Sequence, residues 1–312
     1  MSSRIVVLGY GPVGRSTADQ LVRAGHEVIV AQRKCPPDLI AGARFVACDC
    51  LDAAAVRAVV DGADQVVLAV GFPYEGGLWR DAWPKAMGHV LAACAQAKAR
   101  LVFVDNLYMY GPQDAPLRED MALTDHGVKP AVRAAITRQW RAEADAGRVR
   151  VAALRAPDFY GPGVRQSHLG DAGLAAVAAG KTAFLIAPPD TPHDFAYVPD
   201  IGRAVATLIA APDEAFNQAW HVPCAPVRTP RVILSLGAAA LDRPLKLTSL
   251  PLWALGPLGL AAPFLREMQE MRFQWDRPYH VDAGRFASRF WSDATPFEVG
   301  AAATARSFLT AI

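Results

Sequence analysis

The run Gly9-Tyr10-Gly11-Pro12-Val13-Gly14 constrains this chain more than any other feature. It follows an apolar segment, Ile5 to Leu8, and opens an amphipathic one. Glycines in that order, between a strand and a helix, fit the turn on which a dinucleotide pyrophosphate rests. Gly9 permits the tight turn, Gly11 lets the pyrophosphate approach the backbone, and Gly14 lets helix and strand pack closely. Pro12 suits the first helical turn, where its missing N–H costs nothing, and Val13 continues that turn. The free N–H groups there, with the helix dipole, favour a phosphate.

The next strand bears on which dinucleotide is held. His26 to Val30 is predicted as the second strand, after Ala24-Gly25 ends the helix. An NAD site would place Asp or Glu about 20 residues past the glycines, on the ribose hydroxyls. The sequence there is Ala31-Gln32-Arg33-Lys34. No carboxylate stands ready to repel a 2′-phosphate, and Arg33 could pair with one through two hydrogen bonds. The cofactor expected is therefore NADP, with NAD second.

Composition closes off other classes. With 312 residues, 52 % hydrophobic and 20 % charged, the chain can bury a sizeable core and is globular. A net charge of +2 with no basic run argues against nucleic acid as a partner. Five cysteines, an odd number in a long chain, suggest no disulfide framework. Cys48 and Cys50 flank Asp49 in a spacing unlike a zinc knuckle, and no HExxH occurs, so no metal site is expected. The first residues lead almost directly into a strand, with no room for a signal peptide, and a cytoplasmic location follows as an expectation. One uncharged stretch, between Lys246 and Arg266, is interrupted by Pro251, Pro257 and Pro263 and barely reaches spanning length. It reads as a buried helix or an apolar substrate lid, not as a membrane span.

Strand and helix signals alternate through the first half. Arg4–Leu8, Glu27–Val30, Arg44–Ala47, Gln65–Val70, Arg100–Val104 and Val149–Leu154 read as strands. Pro12–Ala24, Ala53–Val60, Trp79–Lys98 and Pro130–Ala146 read as the helices among them. This alternation predicts an α/β fold, a doubly wound parallel sheet covered on both faces. Beyond about Gly163 the pattern loosens. Ala219–Val222 reads as a returning strand, and Thr229 to Leu241 and Thr295 to Leu309 as helices. The last has Thr295, Pro296 and Glu298 at cap, first-turn and capping-box places. The expected division is a dinucleotide-binding domain over 1–165, with return segments near 195–222, and a smaller, mostly helical substrate lobe over 166–312.

These motifs, in this order, resemble the extended and atypical short-chain dehydrogenase/reductase superfamily, in particular NAD-dependent epimerase/dehydratase-like proteins. The resemblance covers most of the chain. Cys48-Asp49-Cys50-Leu51-Asp52 is similar to the family's GDLxD turn, which implies that Asp49 and Cys50 meet the adenine. Ala69-Val70-Gly71 stands where the fourth strand passes the cofactor ribose. Asp105-Asn106-Leu107-Tyr108-Met109-Tyr110-Gly111 resembles SSxxVYG, which closes the fifth strand. Arg155-Ala156-Pro157-Asp158-Phe159-Tyr160-Gly161-Pro162-Gly163 resembles RPxxxYGPG, which implies that Pro157 and Phe159 pass the nicotinamide. Phe195-Ala196-Tyr197-Val198-Pro199-Asp200-Ile201 is similar to the segment that returns to the main lobe. The resemblance implies a Rossmann fold and a dinucleotide-dependent enzyme with a small-molecule substrate, and it leaves the oligomeric state open, a homodimer included.

The departures fall on the chemistry. Asn106 stands where the family has its catalytic Ser or Thr, and Lys129-Pro130-Ala131-Val132-Arg133 stands where it has Tyr-x-x-x-Lys. Lys129 and Arg133 are one helical turn apart and face the same way. Lys129 is thus the expected proton donor or substrate polariser, with a further place against the cofactor. Asn106 would orient a carbonyl, and Tyr108, sharing its strand face if the strand continues, is the competing donor. Tyr160, a third phenol, is structural in the family motif. His193-Asp194 reads as an exposed turn, and Trp253, Trp275 and Tyr279 as core or as the wall of an apolar pocket. The leading functional expectation is an NADP(H)-dependent oxidoreductase acting on a small carbonyl or alcohol. The alternatives are a nucleotide-sugar epimerase or dehydratase and a non-catalytic NADP(H)-binding redox sensor.

Overall fold

Strands buried on both faces must be apolar along their whole length, and Ile5-Val6-Val7-Leu8 meets that condition with every side chain at 1 % exposure or less. It forms an inner strand of a seven-stranded sheet in the computed structural model, which describes residues 2–309. The strands are β1 (Arg4–Leu8), β2 (Glu27–Gln32), β3 (Ala43–Ala47), β4 (Gln65–Leu68), β5 (Arg100–Asp105), β6 (Val151–Arg155), the short β7 (Phe159–Tyr160), β8 (Ala183–Leu185) and β9 (Ala196–Tyr197), then β10 (Gln218–His221) and β11 (Leu247–Ser249). The large sheet runs in the order β10-β6-β5-β4-β1-β2-β3, and the registers from β3 through β6 are parallel. At its edge, the Asn217 N–H donates to the Val151 carbonyl oxygen at 2.6 Å and aligns β10 with β6.

The helices of this first unit are α1 (Pro12–Arg23), α2 (Ala53–Val60), α3 (Gly76–Ala97) and α4 (Lys129–Asp145). α1 buries Val13, Gly14, Thr17, Ala18 and Leu21, one stripe at helical spacing. α2 starts where the Asp52 carboxylate accepts from the N–H groups of Ala54 and Ala55. Trp79 and Trp83 of α3 join Phe103 and Leu101 of β5 in one core. Contacts group Met1–Tyr110, Ala122–Arg155 and Ile201–Trp220 into this unit.

The second unit comprises Gly111–Met121, Ala156–Asp200 and His221–Ile312. Two small parallel pairs, β7 with β9 and β11 with β8, stand among helices. These are α5 (Ala176–Ala178), α6 (Val198–Ala210, whose first residues belong here), α7 (Pro230–Ala239), α8 (Leu255–Gly259), α9 (Pro263–Glu270), α10 (Gly284–Arg289) and α11 (Phe297–Ser307). Its core gathers Leu174, Phe195, Ile233, Leu234, Trp275 and Phe297. Three expectations are corrected here. Thr295 does not cap α11; its hydroxyl donates to Asp200 Oδ1 at 2.9 Å, and Pro296 holds the cap position. His193-Asp194 is not an exposed turn, since both residues are buried. The uncharged stretch before Arg266 is not a buried helix, because Trp253 is 75 % and Leu260 91 % exposed. Among the described residues, no helix is long and apolar enough to cross a membrane.

Candidate cofactor and active site

The glycine turn leaves β1 and enters α1 with three different steric situations. Gly9 has φ +95°, and a Cβ there would stand 2.6 Å from the Ala69 carbonyl oxygen, so the turn is pressed against the end of β4. A Cβ on Gly14 would collide with the Gly9 carbonyl oxygen. At Gly11 a Cβ would meet nothing within 4 Å. The turn therefore has no room for a side chain at Gly9 or Gly14 and open space at Gly11. Gly11 is also the N-cap of α1 and offers no side chain to its N–H groups, and Pro12 and Val13 continue the first turn. Ala69, Val70 and Gly71 follow β4, which ends at Leu68, two residues earlier than the sequence suggests.

β2 runs two residues longer than predicted and ends on Gln32. The Gln32 side chain occupies the strand-end position, where Oε1 accepts from the Tyr10 N–H at 3.2 Å and Nε2 donates to the Lys34 carbonyl oxygen at 2.8 Å. Sequence reasoning noted the missing acid and overlooked that a neutral amide fastens this loop to the glycine turn. Tyr10 adds a second tether, its hydroxyl accepting from the Ile40 N–H at 3.0 Å. Arg33 and Lys34 are exposed beyond this anchor. In the turn after β3, Asp49 Oδ1 accepts from the Leu51 N–H at 2.9 Å. Burial, with the Asp49 charge acting in the same direction, pushes the Cys50 thiol up to about 11, so that thiol is not a nucleophile near neutrality.

The expected catalytic positions are brought into one unit, with a different division of labour. Lys129, the first residue of α4, is wholly buried, with Nζ 4.7 Å from the centre of the Tyr74 ring. Arg133, one turn on, is not a free partner for chemistry. Its Nη1 donates to Asp105 Oδ1 at 3.0 Å, and its guanidinium lies 3.7 Å from the centre of the Trp83 ring. Arg155 approaches the other carboxylate oxygen at 3.7 Å and donates to the Tyr110 hydroxyl and to Thr137 Oγ1. Burial pushes the Asp105 carboxyl upward while both guanidiniums pull it down. No sequence signal paired Asp105 with these arginines.

The strand does not continue to Tyr108 as expected. β5 stops at Asp105 and Asn106 turns the chain, its Oδ1 accepting from the Tyr108 N–H at 3.1 Å. Residues Tyr108–Tyr110 then coil into a 3-10 turn that packs against α4. Alternation is lost, so Asn106 and Tyr108 do not share a strand face. The Tyr108 ring stacks on Trp79 with 6.2 Å between centres and 13° between planes.

Pro157 and Phe159 belong to the second unit, in the segment that leads into β7. Between them lies Asp158, 3.2 Å from His193 Nε2. Burial raises its carboxyl, but the hydrogen bond and charge of His193 more than offset that and hold it below the usual carboxylate range. His193 stacks on Trp275 at 3.8 Å and on Tyr279 at 4.8 Å between ring centres. Trp275 and Tyr279 are thus core, whereas Trp253 is not. Tyr160 is buried against Tyr197 and Phe297, and burial pushes its phenol far above its ordinary range, which suits packing and not proton transfer. A cavity of about 450 Å³ in the same unit is lined in part by Asp194, Cys224, His280, Val281 and Ser292, and no lysine or arginine lines it.

A doubly wound parallel sheet with a glycine turn between its first strand and first helix defines the Rossmann-like class of protein. Within that class, the model of the NAD dependent epimerase/dehydratase family matches residues 5–222, and the chain belongs to that family. A comparison with curated proteins finds no match. Among solved structures, the dTDP-glucose 4,6-dehydratase DesIV of Streptomyces venezuelae, with NAD bound, is similar at 18 % identity, with 98 % of this chain and 97 % of that one covered and a TM-score of 0.81. The UDP-glucose 4-epimerase of Thermus thermophilus, in complex with NAD, is similar at 19 % identity, 99 % and 100 % coverage and a TM-score of 0.77. The UDP-glucuronic acid 4-epimerase of Bacillus cereus, also with NAD, gives 14 %, 99 % of each chain and 0.78. At these identities the likeness establishes the fold.

Proposed function

We propose that this chain is a nicotinamide-dinucleotide-dependent enzyme that exchanges hydride at a carbinol or carbonyl carbon, with Lys129 as its proton carrier. The observation that carries the reading is the glycine turn, sterically closed at Gly9 and Gly14 and open at Gly11. With the pyrophosphate held at that turn, the dinucleotide would supply a nicotinamide as hydride donor or acceptor. Lys129 supplies a buried amine at the position where the family has tyrosine. An ammonium at that place polarises a carbonyl and donates a proton to the oxygen as negative charge develops. Asn106 Oδ1 is taken by the Tyr108 N–H, so the amide nitrogen is the end that faces a substrate oxygen as donor. Arg133, fixed by Asp105, positions the first turns of α4 and holds its own proton.

Support for the substrate class comes from two sides. Family membership and the sugar-nucleotide enzymes among the similar folds favour a nucleotide-linked sugar. A small uncharged carbonyl or alcohol is the second reading, favoured by the cavity of the second unit. Among its described lining residues it carries the Asp194 carboxyl and no lysine or arginine, a poor match to a diphosphate. For the cofactor, exposed Arg33 and Lys34 beyond a neutral Gln32 favour NADP, although the similar structures hold NAD.

Cofactor turnover across UDP- and dTDP-sugars and across small aldehydes, ketones and alcohols tests this directly. On the active substrate, Lys129→Met should lower kcat by roughly 10²–10⁴-fold with dinucleotide affinity kept, and Tyr108→Phe should leave it within a few-fold. The reverse ranking would make Tyr108 the donor. No turnover in either substrate class would overturn the enzymatic reading and leave a dinucleotide-binding sensor.

A further inference from the structure

Nineteen consecutive residues, 247–265, carry no charge. In the fold they run from β11 through a 3-10 turn, Leu252–Ala254, into α8 and α9. The two short helices pack on each other as a hairpin, and Gly259 lets the backbone of Arg266 come close, since a Cβ there would be 3.1 Å from Arg266 Cα. The base of the hairpin is anchored by Leu255 and Met271, both at 1 % exposure or less. Its outer surface is the opposite. Trp253 is 75 %, Leu258 44 %, Leu260 91 % and Phe264 56 % exposed. Among the described residues, four of the nine exposed large hydrophobic side chains thus fall within twelve residues, a patch and not the ordinary scatter.

We infer that this hairpin docks the protein on the surface of an anionic lipid bilayer, its tip seated at the boundary between headgroups and acyl chains. Shape, chemistry and charge each favour that occupant. Leu260, in the turn between the helices, is the most exposed of the four, so the apolar surface is a protruding tip, which enters a fluid layer more readily than it fills a protein groove. Trp is the side chain most at home at a membrane interface, and Leu and Phe supply apolar area beneath it. Lys246 and Arg266 flank the tip as exposed cations, the neighbouring Glu267 and Glu270 are half-buried, and Arg272 is paired with Asp276 at 3.7 Å. Weak insertion and a few cations reinforce one another on an anionic surface. A second copy of the chain is a poorer occupant. Four exposed apolar side chains are few beside the roughly 20–30 residues a side of a stable interface. Neither helix can span a bilayer, so the association is peripheral.

The test is flotation of the full-length protein with vesicles of phosphatidylcholine alone and of phosphatidylcholine mixed with phosphatidylglycerol, at low and high salt. The wild type should float with the mixed vesicles, less so at high salt. The triple variant Trp253→Ser, Leu260→Ser, Phe264→Ser should lose at least about tenfold in vesicle affinity while keeping its melting temperature and dinucleotide binding. Arg266→Gln should weaken binding to mixed vesicles only. A wild type that stays at the bottom of the gradient, or a triple variant that floats equally well, would overturn the inference. So would light scattering showing a dimer that the triple variant dissolves, or a changed KM with no vesicle binding, which would make the hairpin an oligomer contact or a lid.

Discussion

Gly11 and Gly14 lie three residues apart in one motif, yet the structure assigns them opposite consequences on substitution. Gly11 adopts φ −68° and ψ −175°, angles open to any residue, and its Cβ would meet nothing. Gly11→Ala gains by restricting the unfolded chain, about 0.4–1 kcal/mol, and loses a similar amount because Ala is a poorer N-cap than Gly. Stability should therefore change by less than about 1 kcal/mol, a shift of no more than about 4 °C in Tm. Affinity should respond differently, because the new methyl occupies the approach of the pyrophosphate to the first N–H groups of α1. Losing two charge-assisted hydrogen bonds, at about 1.5–3 kcal/mol each, corresponds to a loss of roughly 10²–10⁴-fold. Gly14→Ala pushes a methyl into the Gly9 carbonyl, a backbone atom that cannot rotate away, and should cost about 2–3 kcal/mol of stability. Calorimetric titration with NADPH and NADH, beside thermal melts, measures both arms. A Gly11→Ala protein that binds either dinucleotide as the wild type does would refute the pyrophosphate assignment, and an unchanged melt for Gly14→Ala would refute the packing argument.

The other expected outcomes are narrower. Arg33→Ala should weaken NADPH by at least about tenfold and leave NADH unchanged, as read by the same titration; equal wild-type affinities for the two would remove the basis for NADP. Asp105→Ala strands Arg133 and Arg155 without their shared anion and should destabilise the protein by about 3–5 kcal/mol in urea, and a loss under about 1 kcal/mol would show that the arginines find other partners. Acidification should weaken the second unit in two steps. Burial holds His168 below its ordinary range, so its contribution is intact above the unfolded value of about 6.5 and is lost as pH falls below that, by up to about 1.4 kcal/mol per pH unit. Asp158 is held low by His193 despite its burial, and its contribution goes only as pH falls below about 4 through its folded value. His168→Phe should flatten the first step, and an unaltered pH profile of Tm would assign that step elsewhere.

Most of the first unit was legible because its signals are local. Ile5 to Leu8 and Gln65 to Leu68 are nearly continuous apolar runs, which a strand buried on both faces requires, and the glycine turn needs only its own neighbours. What escaped depends on groups far apart in the chain. Asp105 meets Arg133 and Arg155 from 28 and 50 positions away, and nothing near any of them announces the pairing. β5 ends one residue before Asn106 because that amide offers the backbone a competing hydrogen bond. The uncharged stretch after Lys246 misled for another reason. Apolar composition shows that a segment tolerates burial, and only the fold shows that Leu255 is buried while Trp253 and Leu260 are not.

Under the proposed function, Lys129-x-x-x-Arg133 stands in for the Tyr-x-x-x-Lys pair, and the buried charges explain how the unit accommodates it. An arginine placed at the second position needs an anion, and Asp105 at the end of β5 supplies it, with two indole rings packed over the guanidinium. Arg155 then completes the shell by taking the remaining carboxylate edge and the Tyr110 hydroxyl. Asp105, Arg133 and Arg155 are therefore a coupled set, and changing one of them alone leaves a buried charge without its partner. A lysine in place of the tyrosine also biases the direction of chemistry. A tyrosine donates as the neutral phenol and accepts as the phenolate, whereas a lysine that acts as donor begins charged and polarises a carbonyl before hydride arrives. Under the proposed function, this chain is better built to deliver a proton to an oxygen than to remove one, and reduction of a carbonyl should outpace oxidation of the matching alcohol at neutral pH.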